Sequence, residues 1–171
     1  HWLNERIAAA PLSDVVGAVL DDAGFAQHDA RALEGVVAGY AIDRVMSARE
    51  ALQPLELAYF FDAIESGGDI VFRHRGAEPP VIDIQLADLV ERDGWSNPLV
   101  LKRSQETELP AVAKLAYVSA AGDYSQGIAE ARRRQGGSGR ISQADLAIVL
   151  EPELAEATAA TWLFETWAAR E

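Results

Sequence analysis

The sequence predicts an α+β protein in which a small helix–strand–helix–hairpin lobe precedes a strand-rich lobe, barrel-like or an open sheet, closed by a C-terminal helix. Apolar residues recur at helical spacing from Val15 to Ala23. Two glycines, at 67 and 68, separate two extended runs. Further extended runs precede a helix that opens at Pro152. With 171 residues, of which 49% are hydrophobic, the chain is long enough to bury a core.

The first lobe is expected to span residues 1–77 and to begin with a helix over residues 11–25. Ser13 is the predicted cap of this helix, because a serine oxygen can accept from the unpaired amides of the first turn. Gly24 is the predicted stop, since glycine enters the left-handed conformation without steric cost. The apolar run 36–42 predicts the strand that follows.

The rest of this lobe is a second helix and a hairpin. Ser47 and Glu50 have the spacing of a capping box, in which each residue satisfies an amide of the other. Pro54 lies inside this helix and predicts a kink or a later start, because proline lacks the amide hydrogen. Residues 63–75 predict a hairpin that turns at residues 66–69.

The second lobe is expected to span residues 78–171. Strands are predicted over residues 81–84, 99–108, 111–119 and 124–134. A glycine-rich tip then leads to a strand over 140–150, and the final helix follows. Its predicted inward stripe comprises Leu154, Ala157, Ala160, Thr161, Phe164, Trp167 and Ala168.

Composition excludes several classes of function. The formal net charge of −12 disfavours binding to nucleic-acid phosphates or to an anionic membrane surface. The absence of cysteine excludes disulfides, thiolate nucleophiles and cysteine metal sites. No apolar run is long enough to span a membrane. Because the chain starts at His1 and not at methionine, we expect it to be a piece of a longer protein.

The sequence offers no catalytic constellation, so we predict a protein that is not an enzyme and holds no cofactor or metal. His1, His28 and His74 are scattered and lack metal-ligand spacing. Glu106 and Glu108 would share one face of a strand, where a solvated surface is the simpler interpretation than a catalytic pair.

Two further motifs fail for specific reasons. Ser125 resembles half of a nucleophile elbow, but the first glycine of that motif is absent. The glycines of residues 136–139 are not followed by the lysine and hydroxyl residue of a phosphate-binding loop.

Candidate interface residues are basic or aromatic. A basic cluster could contact DNA, an anionic glycan or an acidic protein, or could simply protect an edge strand from aggregation. Contact with an acidic protein and protection of an edge strand are the favoured interpretations, because the remaining surface is acidic. Trp162 is a candidate interface anchor and Trp95 a candidate surface contact, whereas Trp167 is predicted to lie in the core. The basic cluster consists of Arg132, Arg133, Arg134 and Arg140.

Several stretches resemble, as a set, a family of phage tail proteins. That family includes the tail-hub or host-specificity proteins of gene transfer agents and is related to the lambda-like tail-tip attachment protein. The stretches are residues 11–16, 23–25, 39–55, 61–68, 105–110, 115–117, 123–124 and 131–133.

The resemblance implies a structural tail-hub or baseplate domain that helps to close the distal tail tube and to dock tip proteins. It implies other hub and tip proteins as partners, a homo-trimer in the full-length protein, and a place in the tail of a particle assembled in the bacterial cytoplasm. An acidic chain would suit a channel through which DNA passes without sticking. The alternatives are a glycan- or receptor-binding module of the tail tip and a fragment of a cell-wall hydrolase.

Overall fold

A computed structural model describes residues 7–76, 79–90, 101–103, 105–134 and 136–169. It confirms the α+β class and the C-terminal helix. The elements, in chain order, are β1 (Ile7–Pro11), α1 (Leu12–Asp22), β2 (His28–Asp29), β3 (Val36–Tyr40), α2 (Ala48–Tyr59), β4 (Phe61–Ser66), β5 (Asp69–His74), β6 (Pro110–Ser119), β7 (Gln126–Arg132), β8 (Arg140–Leu150) and α3 (Pro152–Ala168).

The strands form two sheets. The larger sheet has the order β1-β3-β8-β6-β7, and the smaller has the order β2-β5-β4. In the larger sheet β6 and β8 run parallel, and the other neighbours are antiparallel. Over the described residues β1 and β7 lie at opposite edges, so the sheet is open and not a closed barrel.

The two predicted lobes share this sheet and one hydrophobic core. Tyr40 of β3 lies opposite Ile148 of β8, and the next residue donates its amide hydrogen to Ala147 O at 3.0 Å. The core runs from Phe72 of the hairpin to Leu115 of β6. The proposed division after residue 77 stays a prediction.

The first helix forms as predicted, but its cap does not. Pro11 occupies the cap position, and the described structure shows no side-chain hydrogen bond there. The Ser13 hydroxyl lies 3.4 Å from Asp14 Oδ1, so the prediction that Ser13 is the cap is wrong. The helix instead ends as expected, with Gly24 at φ +82°. Phe25 donates its amide hydrogen to Leu20 O at 2.9 Å.

The second helix begins at the predicted capping box. Ser47 Oγ accepts from the Glu50 amide at 3.3 Å, and Glu50 Oε2 accepts from the Ser47 amide at 2.8 Å. Pro54 does not delay the helix, which is continuous from Ala48 to Tyr59. The predicted hairpin is also present as β4 and β5, with both turn glycines at positive φ.

Two predicted strands are absent from the part of the chain that the structure describes. Residues 81–84 form no strand, and their side chains are exposed. Of residues 99–108, the described part contains no strand and ends in a 3-10 turn, Glu106–Glu108. No strand among the described residues pairs with either stretch. The strands predicted near 111–119, 124–134 and 140–150 are confirmed as β6, β7 and β8.

The predicted inward stripe of α3 is wrong except at Trp167. Phe164 is 72% exposed and Leu154 is 45% exposed. Small apolar residues occur all around this helix, so the spacing alone did not determine which side faces the sheet. The buried residues are Ala155, Thr158, Ala159, Leu163 and Trp167.

Candidate interaction surface

The fold brings the four predicted arginines to one end of the larger sheet. Arg132 is the last residue of β7, and Arg140 is the first residue of β8. Both strands flank β6, where Val112 lies opposite Arg132 and Pro110 lies opposite Arg140. Two strand spacings therefore separate their backbones, about 10 Å. We call Arg132, Arg133, Arg134 and Arg140 the arginine end.

Trp167 of α3 gives the arginine end a fixed support. Its ring lies under the guanidinium group of Arg133, with 3.6 Å between the Arg133 Cζ and the ring centroid. Its indole Nε1–H donates to Pro110 O at 2.8 Å. The first contact is a cation–π interaction, and the second satisfies a backbone carbonyl at the start of β6. Trp167 thus connects α3 to β6 and orients one arginine of the arginine end.

Arg132 belongs to a surface charge cluster on the edge strand. Its guanidinium donates to Glu130 Oε1 at 3.0 Å, and Lys114 Nζ lies 3.5 Å from Glu130 Oε2. The Arg132 hydrogen bond, followed by the charge of Lys114, lowers the pKa of the Glu130 carboxyl, although partial burial opposes the shift. With two cations against one anion, the cluster keeps a positive charge at neutral pH.

Arg140 is anchored through the backbone of the segment before β6. Its guanidinium donates to Glu108 O at 3.3 Å, and its amide donates to Ser138 Oγ at 3.2 Å. The Ser138 hydroxyl in turn donates to Leu109 O. The glycine-rich tip is therefore held against the start of β6 at residue 138.

An apolar groove adjoins the arginine end, between α3 and the end of β7. Its volume of about 570 Å³ lies within the range of pockets that bind small ligands, roughly 300–1,000 Å³. The arginines of the groove lie on the β7 side, and the aromatic rings lie on the α3 side. The groove therefore suits a ligand that has an apolar group next to a negative charge. The lining residues are Ala131, Arg132, Arg133, Ala160, Leu163, Phe164, Trp167 and Ala168.

Of the two other predicted contact residues, the structure describes Trp162. It is partly buried and packs against the cluster of Ala113, Leu163 and Trp167. Trp95 lies outside the residues that the structure describes. The arginines are exposed, and the structure brings the basic candidates together beside α3.

The residues considered for chemistry hold structural positions where they are described. His74 Nε2 accepts from the Glu34 amide at 2.9 Å, and its Nδ1 lies 3.0 Å from Tyr59 O. His28 Nδ1 lies 2.7 Å from Phe25 O. Both rings thus contact backbone groups, in loops and at the end of α2.

The acidic pair also lacks the geometry of an active site. Glu106 and Glu108 lie in an exposed 3-10 turn and not on a strand face. Within the described ranges, no three histidine or acidic side chains are grouped as a metal site. No described helix is long and apolar enough to cross a membrane.

Sequence reasoning missed two exposed apolar residues, one on α3 and one on β7. Phe164 was assigned to the inner stripe of α3 but projects into solvent beside the groove. Ile128 of β7 is 72% exposed. Neither could be identified from local spacing, because exposure here depends on which side of α3 faces the sheet and on β7 being an edge strand.

Comparison with known proteins gives one family match and a similar solved structure. Residues 47–171 match the family described as "Putative phage tail protein". A chain of a solved structure titled "Virion of native gene transfer agent (GTA) particle" superposes with a TM-score of 0.84 at 34% identity. The superposition covers 95% of the present chain and 36% of that chain. No curated protein matches.

Proposed function

Because the chain belongs to this phage tail protein family, we propose that it is a structural domain of the tail hub or baseplate of a gene-transfer-agent-like particle. The observation that carries the proposal is the similarity to a virion chain over 95% of the present sequence. At 34% identity, that similarity extends beyond the fold to much of the sequence. In this role the domain helps to close the distal tail tube and docks the proteins of the tip.

The surface chemistry supports a docking role more than a catalytic one. The arginine end and its groove combine charge and apolar area, which is the usual composition of a protein contact. The described histidines contact backbone groups, and no three histidine or acidic side chains among the described residues are grouped as a metal site. We therefore propose a domain that is not an enzyme, whose partners are other hub and tip proteins, and which is trimeric in the full-length protein.

The acidic composition fits a place beside a DNA channel. A net charge of −12 repels the phosphate backbone, so DNA would pass without being retained. This part of the proposal requires the acidic side chains to face the channel.

Immunogold electron microscopy of particles from the producing cells tests the tail assignment. Antibody raised against the 171-residue chain should label the distal tail end. Antibody against a capsid protein should label the head of the same particles. Chain-specific label that is absent from particles, or confined to heads, would overturn the proposal.

The competing role, a glycan- or receptor-binding module, predicts a different result. The isolated chain would then bind purified cell envelope or polysaccharide. Arg134→Ala and Trp95→Ala would weaken that binding. Binding to particles lacking the native domain, with no binding to envelope, would instead favour the structural role.

A further inference from the structure

The outward face of α3 carries an apolar stripe. The predicted stripe of this helix is present, but all of its members except Trp167 are exposed. The exposed members are Leu154, Ala157, Ala160, Thr161, Phe164 and Ala168. The side of α3 that packs on β6 and β7 is apolar as well. A helix with apolar side chains on two opposite sides is typical of one that is packed on both.

The spacing of the stripe is that of a contact between two helices. Leu154, Ala157, Thr161, Phe164 and Ala168 follow one another at intervals of three, four, three and four residues. This alternation is the a and d pattern of a coiled coil, in which each helix buries a narrow seam against its neighbour. At the helical rise per residue, the seam is about 21 Å long, or about two heptads. The pattern therefore indicates an α-helix as the occupant of this face.

One side of the stripe is continuous with the groove between α3 and β7. Ala160, Phe164 and Ala168 of the stripe also line that groove. The small side chains of Ala160 and Ala168 allow a second helix to approach the α3 backbone closely. Phe164 lies between them along the chain, as a large aromatic side chain of the kind that is enriched in protein contacts. The face thus offers both a recess and a projecting side chain to a partner helix.

Charges of opposite sign lie at the two ends of the stripe. Glu153 and Glu156 are exposed beside Leu154, near the start of α3. At the other end, the groove is lined by Arg132 and Arg133. The two ends are about 20 Å apart along the helix, well beyond the screening length of about 8 Å at physiological salt. Each end therefore selects its own countercharge.

We propose that the outward face of α3 docks an amphipathic helix of another protein of the particle, antiparallel to α3. The acidic first turn of that helix lies at Arg132 and Arg133, and its basic last turn lies at Glu153 and Glu156. The helix dipole favours acidic residues in a first turn and basic residues in a last turn, so this charge order sets the antiparallel direction. The inference rests on the proposed tail role for where the partner occurs, and it adds the kind of segment that the domain docks.

A second copy of α3 is the main rival occupant. Two antiparallel α3 helices would also bring the glutamates of one copy to the arginines of the other. Such a pair is related by a twofold axis, which a threefold ring does not contain. In the proposed trimer the partner helix therefore belongs to a different protein, and self-association of the chain through Phe164 would overturn the proposal.

Cysteine labelling first tests whether the chain leaves this face open. The chain has no cysteine, so Phe164→Cys introduces a single thiol in the stripe. Ile128→Cys on β7 is the matched control, because both residues are 72% exposed and Ile128 lies outside the groove. In the isolated 171-residue chain we expect the Phe164→Cys thiol to react with a maleimide at least as fast as the control. A much slower reaction would show that the same chain or a second copy covers the face, and would overturn the proposal.

The second test measures binding of a designed helical peptide to the same chain by fluorescence anisotropy. The probe is about three heptads long, with leucine and alanine alternating at a and d, glutamate in its first turn and lysine in its last. Phe164→Glu should weaken binding at least about tenfold, whereas Ile128→Glu should retain most of it, with circular dichroism confirming that both variants fold. No saturable binding to the wild-type chain at about 1 mM, or equal binding to Phe164→Glu, would overturn the proposal.

Charge and direction are tested with the same probe. Arg132→Glu should weaken binding several-fold, and Arg44→Glu, an equal change of charge at an exposed site outside the groove, should not. Arg132 is chosen because Arg133 also contacts the Trp167 ring. A spin label on the first residue of the peptide should broaden the NMR signals of Ala168 and not those of Leu154. Broadening at Leu154 alone, or equal effects of the two arginine variants, would contradict the proposed direction or its charge basis.

Labelling of intact particles separates this inference from the tail role. In purified particles that carry Phe164→Cys in the full-length protein, the thiol should react much more slowly than in the isolated chain, while Ile128→Cys provides the comparison. Equal reactivity of Phe164→Cys in particles and in the isolated chain would overturn the docking proposal and leave the tail role intact. Particles without the protein would overturn the tail role itself.

Discussion

The guanidinium group of Arg133 lies over the ring of Trp167, with 3.6 Å between Cζ and the ring centroid. Trp167 is 9% exposed and its indole N–H is bonded to Pro110 O. The arginine is thus oriented by a ring that is itself fixed by a backbone bond. Preorganised charges at an interface lose less side-chain entropy on binding than free ones. If the arginine end binds a partner, we therefore expect Arg133 to contribute more to that binding than its neighbour Arg134.

Replacing Arg133 with alanine should reduce stability by a small, measurable amount. The change removes the cation–π contact, which is worth about 0.5–1 kcal/mol at an exposed site. Arg134→Ala is the matched control, because Arg134 is an exposed neighbour of the same type and should change the free energy of unfolding by less than about 0.5 kcal/mol. Urea unfolding of both variants measures these changes. Equal losses in the free energy of unfolding would show that the contact between Arg133 and the Trp167 ring does not stabilise the protein.

Ser47 and Ser13 should respond differently to alanine. Ser47→Ala removes one half of the capping box and should cost about 1 kcal/mol of the free energy of unfolding. Ser13→Ala leaves the start of α1 unchanged, because Ser13 makes no cap bond. The backbone bond from residue 47, the larger cause of the lowered Glu50 pKa, remains in this variant, whereas the hydroxyl bond to Glu50 Oε2 is lost, so the Glu50 pKa should rise only in part.

Chemical denaturation gives the two stabilities, and an NMR titration of the Glu50 carboxyl gives its pKa. A large loss in the free energy of unfolding for Ser13→Ala, or no loss for Ser47→Ala, would contradict this capping geometry.

The features predicted correctly from sequence have their causes within a few residues. The capping box depends on Ser47 and Glu50, and the hairpin turn depends on Gly67 and Gly68. The Gly24 stop is equally local. Short-range steric and hydrogen-bonding rules fix such features before the chain folds.

The incorrect predictions concern features that depend on residues far apart in the sequence. The orientation of α3 depends on which small side chains fit over β6 and β7, and its composition is apolar on every side. The contact of Trp167 with Arg133 joins α3 to the end of β7. The candidate arginines were identified because they lie within nine residues of sequence, whereas the groove beside them was not identified.

Gly127 should not tolerate alanine. A Cβ at this position would lie 2.6 Å from Cζ of Tyr117, on the neighbouring strand. Tyr117 is buried, so its ring has little room to withdraw. Gly127→Ala should therefore cost about 1–3 kcal/mol through overpacking. Gly137→Ala is the control, since a Cβ there meets nothing within 4 Å. Thermal unfolding compares the two, and equal melting temperatures would mean that Tyr117 moves freely.

The Asp29 carboxyl should stay ionised to unusually low pH. Its Oδ1 accepts from Arg31 Nε at 2.9 Å and from the Arg31 amide at 3.1 Å, and its Oδ2 accepts from Nη2 at 2.7 Å. These bonds, the side-chain ones first, hold the pKa of Asp29 far below its ordinary range. A carboxyl with a depressed folded pKa stabilises the protein above the unfolded pKa of about 3.9 and loses that contribution as pH falls through the folded value.

Arg31→Met should therefore raise the Asp29 pKa while leaving the backbone bond from residue 31, so the shift should be partial. Its destabilising effect should be largest near neutral pH and should shrink as the solution is acidified, because the wild-type carboxyl then becomes protonated as well. A carbon-detected NMR titration reports the Asp29 pKa directly, and urea unfolding at neutral and acid pH reports the stability difference. Arg134→Met provides the control for losing one exposed arginine. If the Asp29 pKa were the same in wild type and Arg31→Met, the side-chain pairing would not hold in solution, and the turn after β2 would have to be stabilised by the backbone bond alone.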